Sequence, residues 1–303
     1  MTELAVVVVN HNAGTFLPAC ISSIFAAAGD LALDVMLVDN ASSDGSVERV
    51  LEEHPSLRVL TNRANKGFAV AANQGVRSTT APFVFLLNPD AEITGGSLPS
   101  LVKVAADRPR AAVLGPLVRN TDGSIQASAR KVPGLLESLG HAFLGPFAPN
   151  NRFSRAYTMA EWDRASEREV EWVSGSAMLI RREAFQAVMG FDEGYFMYVE
   201  DVDLCTRLRQ SGWSVLFSPE LEVVHETGVS ARKRSRRLAF EHSRSIYRYF
   251  AKHRAHGPAV LLKPLVRLAV WIRALLVARG SRGRASAGRT KPGTERQGGR
   301  PRG

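Results

Sequence analysis

The residues best suited to chemistry are carboxylates and a histidine that follow apolar segments. Asp90 comes directly after the apolar run Phe83–Leu87, in the tripeptide Asn88-Pro89-Asp90. Hard divalent cations prefer oxygen ligands, which they often share with phosphate groups, so Asp90 is a candidate metal ligand. His225 ends another apolar segment and could supply a nitrogen ligand to the same cation. The alternatives are a simple Asn-Pro-Asp turn and a structural histidine.

A second group of acids, Glu200, Asp201 and Asp203, follows the aromatic run Tyr195–Tyr198. An aromatic wall would partly desolvate one carboxylate and raise its pKa toward that of a useful general base. Acids in the first turn of a helix are also stabilised by the helix dipole, so ordinary capping is the alternative.

These groups need a framework, and the first 115 residues predict one of alternating strands and helices. Each predicted strand is a short apolar run rich in β-branched residues, which is typical of strands buried on both faces. Strand, helix and strand at this spacing predict right-handed βαβ units and a mostly parallel sheet. The predicted strands are Leu4–Asn10, Asp34–Asp39, Leu57–Thr61, Phe83–Leu87 and Ala111–Gly115, and the helices are Phe16–Ala28, Ser43–Glu53, Phe68–Val76 and Ser97–Ala106.

Polar clusters follow these strands, and ligands of open parallel sheets bind beyond the carboxyl ends of the strands. We therefore expect the clusters 10–12, 39–45, 62–67 and 88–90 to meet in one crevice. The dinucleotide fingerprint G-x-G-x-x-G and the phosphate loop G-x-x-x-x-G-K-[ST] are both missing from the sequence. Phosphates must then be held in another way.

The second half of the chain is less regular. A strand is predicted around Ser124–Arg130, a long and partly ordered loop over Gly134–Glu169, and a strand over Glu171–Ile180. Further predictions are a helix from Arg182, a helix over Glu200–Ser211, two short strands at Val215–Phe217 and Leu221–His225, and a polar helix over Ala231–His253.

The net charge of +10 is concentrated at the carboxyl end. Residues 252–303 hold thirteen Lys and Arg and one acid, a net +12, which leaves −2 for the first 251 residues. Two cysteines cannot form a disulfide framework, which favours a reducing compartment. No secretory signal is expected before the first strand.

The stretch Ala259–Ala278 is apolar but carries Lys263, Arg267 and Arg273, which disfavours a membrane span. It predicts a basic amphipathic helix lying on an anionic membrane surface. The Gly-, Arg- and Ser-rich residues 279–303 predict a disordered tail. The alternative is an ordinary packed helix with a solubilising tail.

Seven ordered stretches of this sequence resemble motifs of the inverting nucleotide-sugar glycosyltransferases of family two. Together they run from residue 4 to about residue 250. The matching stretches are Asn10-His11-Asn12, Asp39-Asn40-Ala41-Ser42-Ser43-Asp44-Gly45, Asn65-Lys66-Gly67, Asn88-Pro89-Asp90, Gly175-Ser176-Ala177, Gly190-Phe191-Asp192 and Glu200-Asp201-Val202-Asp203 with Arg207.

The resemblance implies the GT-A nucleotide-diphospho-sugar transferase fold, an α/β class with a mostly parallel central sheet flanked by helices. It implies one domain over residues 1–254, with a nucleotide-sugar-binding half (1–117) and an acceptor and catalytic half (118–254). A membrane-associating helix (255–278) and the tail (279–303) would follow.

The resemblance also implies roles for individual residues. Asp39 would bind the nucleotide, and Asp90 would hold Mg²⁺ or Mn²⁺ across the donor diphosphate with His225 as a further ligand. Asp201 would be the catalytic base. Here Asn88 stands at the first position of the family's usual D-x-D motif. Further residues implied in the donor pocket are Asn10, Asn65, Gly67 and Asn88, and those for diphosphate or acceptor are Arg130, Glu200, Arg232 and Lys233.

A narrower resemblance is to rhamnosyltransferases of this family, carried by Gly115-Pro116-Leu117-Val118-Arg119, Asp122-Gly123-Ser124, Ser128-Ala129-Arg130, Gly145-Pro146-Phe147 and Tyr195–Tyr198. It implies transfer of L-rhamnose from dTDP-L-rhamnose to an N-acetylglucosaminyl-diphospho-polyprenol in cell-wall (arabinogalactan linker) synthesis. The enzyme would be peripheral on the inner face of the cell membrane.

Two alternatives stay open at this point. One is a transferase of the same family with another donor or acceptor, acting in surface polysaccharide synthesis. The other is a nucleic-acid-binding protein that uses the basic tail. We expect no nucleic acid partner, because the body has neither a basic composition nor a recognised reading motif.

Overall fold

The computed structural model of the protein describes residues 3–132, 151–226 and 236–287. The strands are β1 (Leu4–Asn10), β2 (Leu33–Asp39), β3 (Arg58–Thr61), β4 (Phe83–Leu87), β5 (Ala91–Gly96), β6 (Ala111–Arg119), β7 (Ala129–Arg130), β8 (Arg168–Val170), β9 (Trp172–Val173), β10 (Ala177–Arg181) and β11 (Ser214–His225). The helices are α1 (Phe16–Ala26), α2 (Ser46–Glu53), α3 (Phe68–Arg77), α4 (Leu98–Asp107), α5 (Arg152–Thr158), α6 (Arg182–Ala187), α7 (Glu200–Gln210), α8 (Arg236–His253) and α9 (Lys263–Ala287), with a 3-10 helix at Gly257–Leu262.

Nine strands form one sheet in the order β3-β2-β1-β4-β10-β6-β11-β5, with β8 also paired to β11. The strands β3, β2, β1 and β4 are all parallel, as expected. Beyond β4 the sheet is mixed, because β10 runs antiparallel to both of its neighbours and β5 and β8 run antiparallel to β11. The α/β class is confirmed, while the sheet is mixed rather than mostly parallel.

Helices cover both faces of this sheet. In β1 the side chains of Ala5 and Val7 point into one core, and those of Leu4, Val6 and Val8 point into the other. This alternation follows from the two-residue period of a strand. The continuous apolar runs in the sequence therefore correspond to strands buried on both faces, as predicted.

Several predicted elements need correction in the second half. Residues 214–225 form one strand, β11, rather than two, because the pairing shifts register between Phe217 and Glu222 and so accommodates Pro219. The predicted strand 124–130 is reduced to β7 and an isolated bridge at Ile125. The predicted strand 171–180 is split into β9 and β10 around Ser174–Ser176. The strand β9 pairs with β7 in a separate two-stranded sheet, whereas β10 belongs to the nine-stranded sheet, and the segment between them turns from one sheet to the other.

The carboxyl-terminal region also differs from expectation. The helix α9 continues through residues 279–287, which we had assigned to a disordered tail; arginine and alanine favour helix there, and no proline interrupts it. The loop predicted over 134–169 contains the helix α5. Its residues 134–150, and residues 288–303 of the tail, lie outside the described ranges.

The predicted internal boundary at 117/118 falls inside β6. Strands from both halves belong to one sheet, since β10 and β6 follow β4 in the strand order. The two halves therefore share their core and are not separate folding units.

Candidate active site

The first polar cluster joins the carboxyl ends of β1 and β2, where Asn10 and Asp39 are register partners. Asn10 is fully buried, and its amide donates to Asp39 Oδ1 (3.2 Å) and to the hydroxyl oxygens of Ser42 (2.9 Å) and Ser46 (3.0 Å). Its own Oδ1 accepts from the backbone N–H of Ala13 (3.3 Å). Asn10 therefore holds the loop after β2 in place rather than facing an open pocket.

Asp39 is also buried, and its Oδ2 accepts from the backbone N–H of Ser42 (3.2 Å). Each oxygen of a carboxylate can accept two hydrogen bonds, so Asp39 retains acceptor capacity for a ligand. The side chain stands at the edge of the sheet where the carboxyl ends of β1, β2 and β3 meet.

A second cluster of asparagines builds the turn before α3. Asn40 donates to Asn65 Oδ1 (3.0 Å) and to the carbonyl oxygen of Gly67 (3.2 Å), and its Oδ1 accepts from the backbone N–H of Lys66 (3.0 Å) and the amide of Asn62 (3.2 Å). The sequence placed Asn40 and Asn62 in the polar clusters but gave neither of them a role. Both order the turn that carries Asn65 and Gly67.

Gly67 is required at this turn for two reasons. Its φ is +87°, in the region that favours glycine, and a Cβ atom would lie 2.3 Å from the carbonyl oxygen of Phe196. That same oxygen accepts a hydrogen bond from the backbone N–H of Phe68 (2.8 Å). The turn of the donor half therefore contacts the aromatic run before the acids directly.

Asp90 and His225 come together, as the sequence predicted. Asp90 is buried, and its Oδ1 lies 3.2 Å from His225 Nε2. The unpredicted strand β5 causes this contact, because it begins at Ala91 and pairs with β11 so that His225 is the register partner of Ala91. Asn88 Nδ2 is also 3.3 Å from His225 Nε2.

The side chains of Asp90 and His225 fit a divalent cation whose remaining coordination positions are filled by a bound ligand. A carboxylate oxygen and an imidazole nitrogen are adjacent, and His225 Nδ1 lies 3.3 Å from Gln126 Oε1, a contact that would orient the ring. Within the described ranges no group of three or more His, Cys, Asp or Glu side chains could hold a metal alone. Protein and diphosphate oxygens would therefore have to share the cation.

Asp201 and Glu200 lie in the first turn of α7. Asp201 accepts from the backbone N–H groups of Gly175 (3.0 Å) and Val202 (2.8 Å), while Glu200 Oε2 is buried without a hydrogen-bond partner among the described residues. Burial raises the pKa of Asp201 and raises that of Glu200 well above its usual range, with the charge of Asp201 as a second cause for Glu200. Burial therefore favours the protonated form of both carboxyls.

The turn before these acids is strained. Tyr198 and Val199 have φ values of +68° and +70°, although neither is a glycine and Val199 is β-branched. Such conformations persist only where surrounding contacts impose them, and they occur often at functional sites.

Arg130 is a cation whose charge acts on Asp201. Its guanidinium lies over the rings of Tyr157 (4.9 Å) and Trp172 (5.2 Å), and its charge acts to lower the pKa of Asp201 against the effect of burial. The other two predicted cations, Arg232 and Lys233, lie outside the described residues.

The Asp90–His225 pair and Asp201 are linked through the backbone. Asn88 lies two residues before Asp90, and its N–H donates to the carbonyl oxygen of Ser176 (2.8 Å). Gly175, the residue before Ser176, donates its N–H to the Asp201 carboxylate. No hydrogen bond or ion pair joins the Asp90 and Asp201 side chains themselves in the described part of the chain. One short segment, 174–176, therefore touches both groups.

Asp203 is an important residue to which the sequence assigned no role. It is fully buried, and it contacts Arg207 (2.7 Å), Lys252 (2.8 Å) and His253 (2.7 Å). Burial opposes its ionisation, yet hydrogen bonds from His253 and Lys252 and the charge of Arg207 hold its pKa well below the usual range. Asp203 therefore ties α7 to α8 and does not face the pocket.

Comparison with known proteins gives consistent matches. The model of "Glycosyl transferase family 2" matches residues 5–189, and that of "Glycosyl transferase family group 2" matches residues 124–281. The N-acetylglucosaminyl-diphospho-decaprenol L-rhamnosyltransferase of Mycobacterium tuberculosis is 36% identical over 93% of this chain and 95% of its own length. Rhamnosyltransferase WbbL of Escherichia coli is 30% identical over 63% of this chain and 70% of its own length.

Solved structures share the fold at low sequence identity. GalNAc-T7 with UDP, GalNAc and Mn²⁺ matches with a TM-score of 0.58 and 16% identity, over 89% of this chain and 54% of the other. The mannosyltransferase PcManGT of Pyrobaculum calidifontis, in complex with GDP-Man and Mn²⁺, matches with a TM-score of 0.56 and 18% identity, over 96% and 76% of the two chains.

Proposed function

Since this chain belongs to glycosyl transferase family 2 and is a glycosyltransferase, we propose that it moves L-rhamnose from dTDP-L-rhamnose to N-acetylglucosaminyl-diphospho-polyprenol. The observation that carries the choice of substrates is the relative from Mycobacterium tuberculosis, which is similar over nearly the whole of both chains. The reaction would form the linker to arabinogalactan in the cell wall.

On the donor side, Asp39 and the turn Asn65–Gly67 bind the nucleotide, and Asn10 acts by positioning Asp39. Asp90 and His225, with Asn88 beside them, hold Mg²⁺ or Mn²⁺ at the diphosphate. When bound, the cation stabilises the negative charge that develops on the leaving diphosphate. We assign this donor role to residues 1–117, joined by His225 from β11.

On the acceptor side, Asp201 takes the proton of the acceptor hydroxyl. That oxygen forms a bond to the anomeric carbon of the sugar as the carbon–oxygen bond to the diphosphate breaks, and the bonding electrons leave with the nucleoside diphosphate. A single displacement from the opposite face inverts the configuration. Glu200 keeps its own proton because its carboxyl is buried, and Arg130 supports the charged form of Asp201.

The helix α9 places the enzyme on the membrane surface. Val270 and, one turn later, Ala274 are buried, while the opposite side of the helix exposes large apolar side chains. These are Leu265, Leu268, Trp271, Ile272, Leu275 and Leu276. No helix in the described ranges has the length and apolar content needed to cross a bilayer. An apolar face next to a chain end of net charge +12 is suited to an anionic leaflet.

A donor panel with purified protein tests the proposed reaction. The acceptor is a polyprenyl-diphospho-N-acetylglucosamine, and each nucleotide sugar is offered with Mg²⁺, with Mn²⁺ or with EDTA. We expect transfer from dTDP-rhamnose that EDTA abolishes and that either cation restores. Transfer from a different donor only would contradict the choice of rhamnose, and full activity in EDTA would contradict the metal role of Asp90 and His225.

Vesicle flotation tests the membrane role. The wild-type protein should float with anionic vesicles, and the double substitution Leu268→Ser and Leu276→Ser on the exposed side of α9 should reduce flotation. The matched control is Ile125→Ser, which removes an exposed apolar side chain elsewhere. Equal flotation of all three proteins would contradict membrane binding through α9.

A further inference from the structure

A groove of about 470 Å³ lies between α8 and α9, on the side of α8 that faces away from the acids. Its volume is within the range of small-molecule sites, which is about 300–1,000 Å³. Phe240, Ser243 and Arg244 line it from α8, and Arg267, Val270 and Trp271 line it from α9. None of these residues has a role in the transfer reaction as derived above.

The floor of the groove is apolar and aromatic. The rings of Phe240 and Trp271 lie 5.3 Å apart between centroids, and Val270 is buried beside them. Ordered aromatic and aliphatic walls favour a hydrocarbon ligand, because burial of apolar surface supplies the binding free energy.

The groove also holds hydrogen-bond donors without adequate partners. Ser243 is 3% exposed, and its hydroxyl has no hydrogen-bond partner among the described residues. A buried and unpaired hydroxyl is costly, so this atom marks a position for a ligand oxygen. Arg267 forms no ion pair within the described ranges, and Arg244 approaches Glu241 only to 3.9 Å. Arg267 is therefore available to an anionic group, while Arg244 shares the groove with the carboxylate of Glu241.

We propose that this groove binds the isoprenoid diphosphate part of the lipid-linked acceptor. The proximal isoprene units lie along Phe240, Val270 and Trp271, and the diphosphate oxygens accept hydrogen bonds from Ser243, Arg244 and Arg267. The inference rests on the proposed function, since it assumes that the acceptor is a polyprenyl diphosphate. It adds a binding site outside the donor pocket and outside the residues around Asp201.

The groove lies between the proposed membrane-facing helix α9 and the helix α8, which contacts the turn before Asp201. The apolar outer face of α9 lies on one side of it, and α8 lies on the other. The opposite face of α8 contacts the turn that leads into α7: Ser245 Oγ donates to the carbonyl oxygen of Met197 (3.0 Å), and the His242 ring lies 5.0 Å from that of Tyr198. The groove and this turn thus lie on opposite faces of α8, about one helix diameter, roughly 10 Å, apart.

The test compares two acceptors with the same N-acetylglucosaminyl-diphosphate head, one with a decaprenyl chain and one with a geranyl chain. The full-length enzyme is assayed in neutral detergent micelles without phospholipid. We expect the wild type to prefer the long chain by about tenfold in kcat/KM, because a short chain buries less apolar surface. Ser243→Phe fills the groove and should abolish this preference by raising KM for the long-chain acceptor, without changing KM for the donor.

Two further variants keep the test decisive. Ser243→Ala leaves the groove open but removes the proposed hydroxyl donor, so it should retain the chain-length preference while raising KM for both acceptors. Arg267→Glu alters an exposed side chain that is not needed for folding, and it should raise KM for both acceptors about fivefold by repelling the diphosphate. If Ser243→Phe lowers the melting temperature, Arg267→Glu decides alone.

The outcomes separate the two proposals. No transfer to either acceptor by the wild type would refute the proposed function. Normal transfer with wild-type values of KM in both Ser243→Phe and Arg267→Glu would refute the groove alone. Inhibition by phosphatidylglycerol as strong as that by decaprenyl diphosphate would assign the groove to phospholipid headgroups and would also overturn the inference.

Discussion

Replacing Asp201 by asparagine should remove most of the turnover while leaving the donor bound. The substitution exchanges one carboxylate oxygen for an amide nitrogen and keeps the shape of the side chain. In the native protein both oxygens accept backbone hydrogen bonds, from Gly175 (3.0 Å) and Val202 (2.8 Å). Asparagine can accept only one of these, so we expect a loss of about 1–3 kcal/mol in the free energy of unfolding.

The effect on catalysis should be larger than the effect on stability. Loss of a general base lowers the rate by about 10²–10⁴, which is about 3–5 kcal/mol in the activation barrier. Asp39 ends β2, Asp90 lies shortly after β4, and neither makes a hydrogen bond with Asp201 in the described part of the chain. The dissociation constant of the nucleoside diphosphate should therefore stay within about twofold of the wild-type value.

The assay measures kcat at saturating concentrations of both substrates and measures nucleotide binding by calorimetry. Glu193→Gln is the matched control, because Glu193 precedes α7, is half-exposed, and pairs with Arg77 (3.4 Å) and accepts from the Asn73 amide (3.0 Å) through Oε1, an oxygen that glutamine retains. It should keep wild-type kcat. Turnover of Asp201→Asn within about threefold of the wild type would refute its role as base. A tenfold loss of nucleotide binding would instead place Asp201 in the donor pocket.

Three further predictions concern neighbouring residues. Because burial raises the pKa of Glu200, its protonated form stabilises the fold below the unfolded value of 4.5, and this contribution is lost as the pH rises through the folded pKa; Glu200→Gln should therefore gain stability over the wild type in urea unfolding as the pH rises above 4.5, by up to about 1.4 kcal/mol per pH unit. Asp203→Asn leaves the largely buried Arg207 without its carboxylate partner, while Lys252 keeps its ion pair with Asp192, and it should cost about 3–5 kcal/mol, seen as a fall of about 6–20 °C in the melting temperature; an unchanged melting temperature would contradict the role of Asp203 in tying α7 to α8. Gly67→Ala places a Cβ atom 2.3 Å from the carbonyl oxygen of Phe196, so it should lower both the melting temperature and kcat, and wild-type values of both would show that the turn tolerates displacement.

The local elements were predictable where apolar runs are long and continuous. The strands β1, β2 and β4 and the helix α7 lie close to their predicted bounds. The strand β5 escaped prediction because its sequence, Ala91-Glu92-Ile93-Thr94-Gly95-Gly96, has neither an apolar run nor strand propensity at its end. The insertion of β10 between β4 and β6 is a pairing of distant segments, which no local pattern specifies.

The candidate site likewise has residues that the sequence predicts and contacts that it does not. The sequence identified Asp90 and His225 separately and assigned them to one cation by resemblance, but the missed strand β5 is what brings them together. It predicted Asn10 as a residue of the donor pocket but could not show that its amide is fully buried and bonded to Asp39, Ser42 and Ser46. The spacing of Asp203 and Arg207, four residues apart on one helix, was a readable signal of an ion pair. The contribution of Lys252 and His253 depends on how α8 packs and had no such signal.

The base is positioned from two directions, and this explains why distant residues can control it. Two successive residues in left-handed conformation, Tyr198 and Val199, each cost about 1–3 kcal/mol and need contacts that impose them. The donor half supplies one contact, the hydrogen bond from the N–H of Phe68 to the carbonyl oxygen of Phe196. The helix α8 supplies the others, through Ser245 at Met197 and through the ion pairs of Asp203.

A change on either side can therefore move the acids without touching them. Donor binding at Asn65–Gly67 acts on the aromatic run through Phe196, and an acceptor lipid between α8 and α9 acts on the same run through α8. Both substrates would thus bias one strained turn, which is the physical requirement for coupling between two sites. Because such coupling is reciprocal for binding, a bound nucleotide should alter the affinity for decaprenyl diphosphate by the same factor as the lipid alters the affinity for the nucleotide. Calorimetric titration of each ligand in the presence and absence of the other measures this factor, and a factor of one would show that the turn does not connect the two sites.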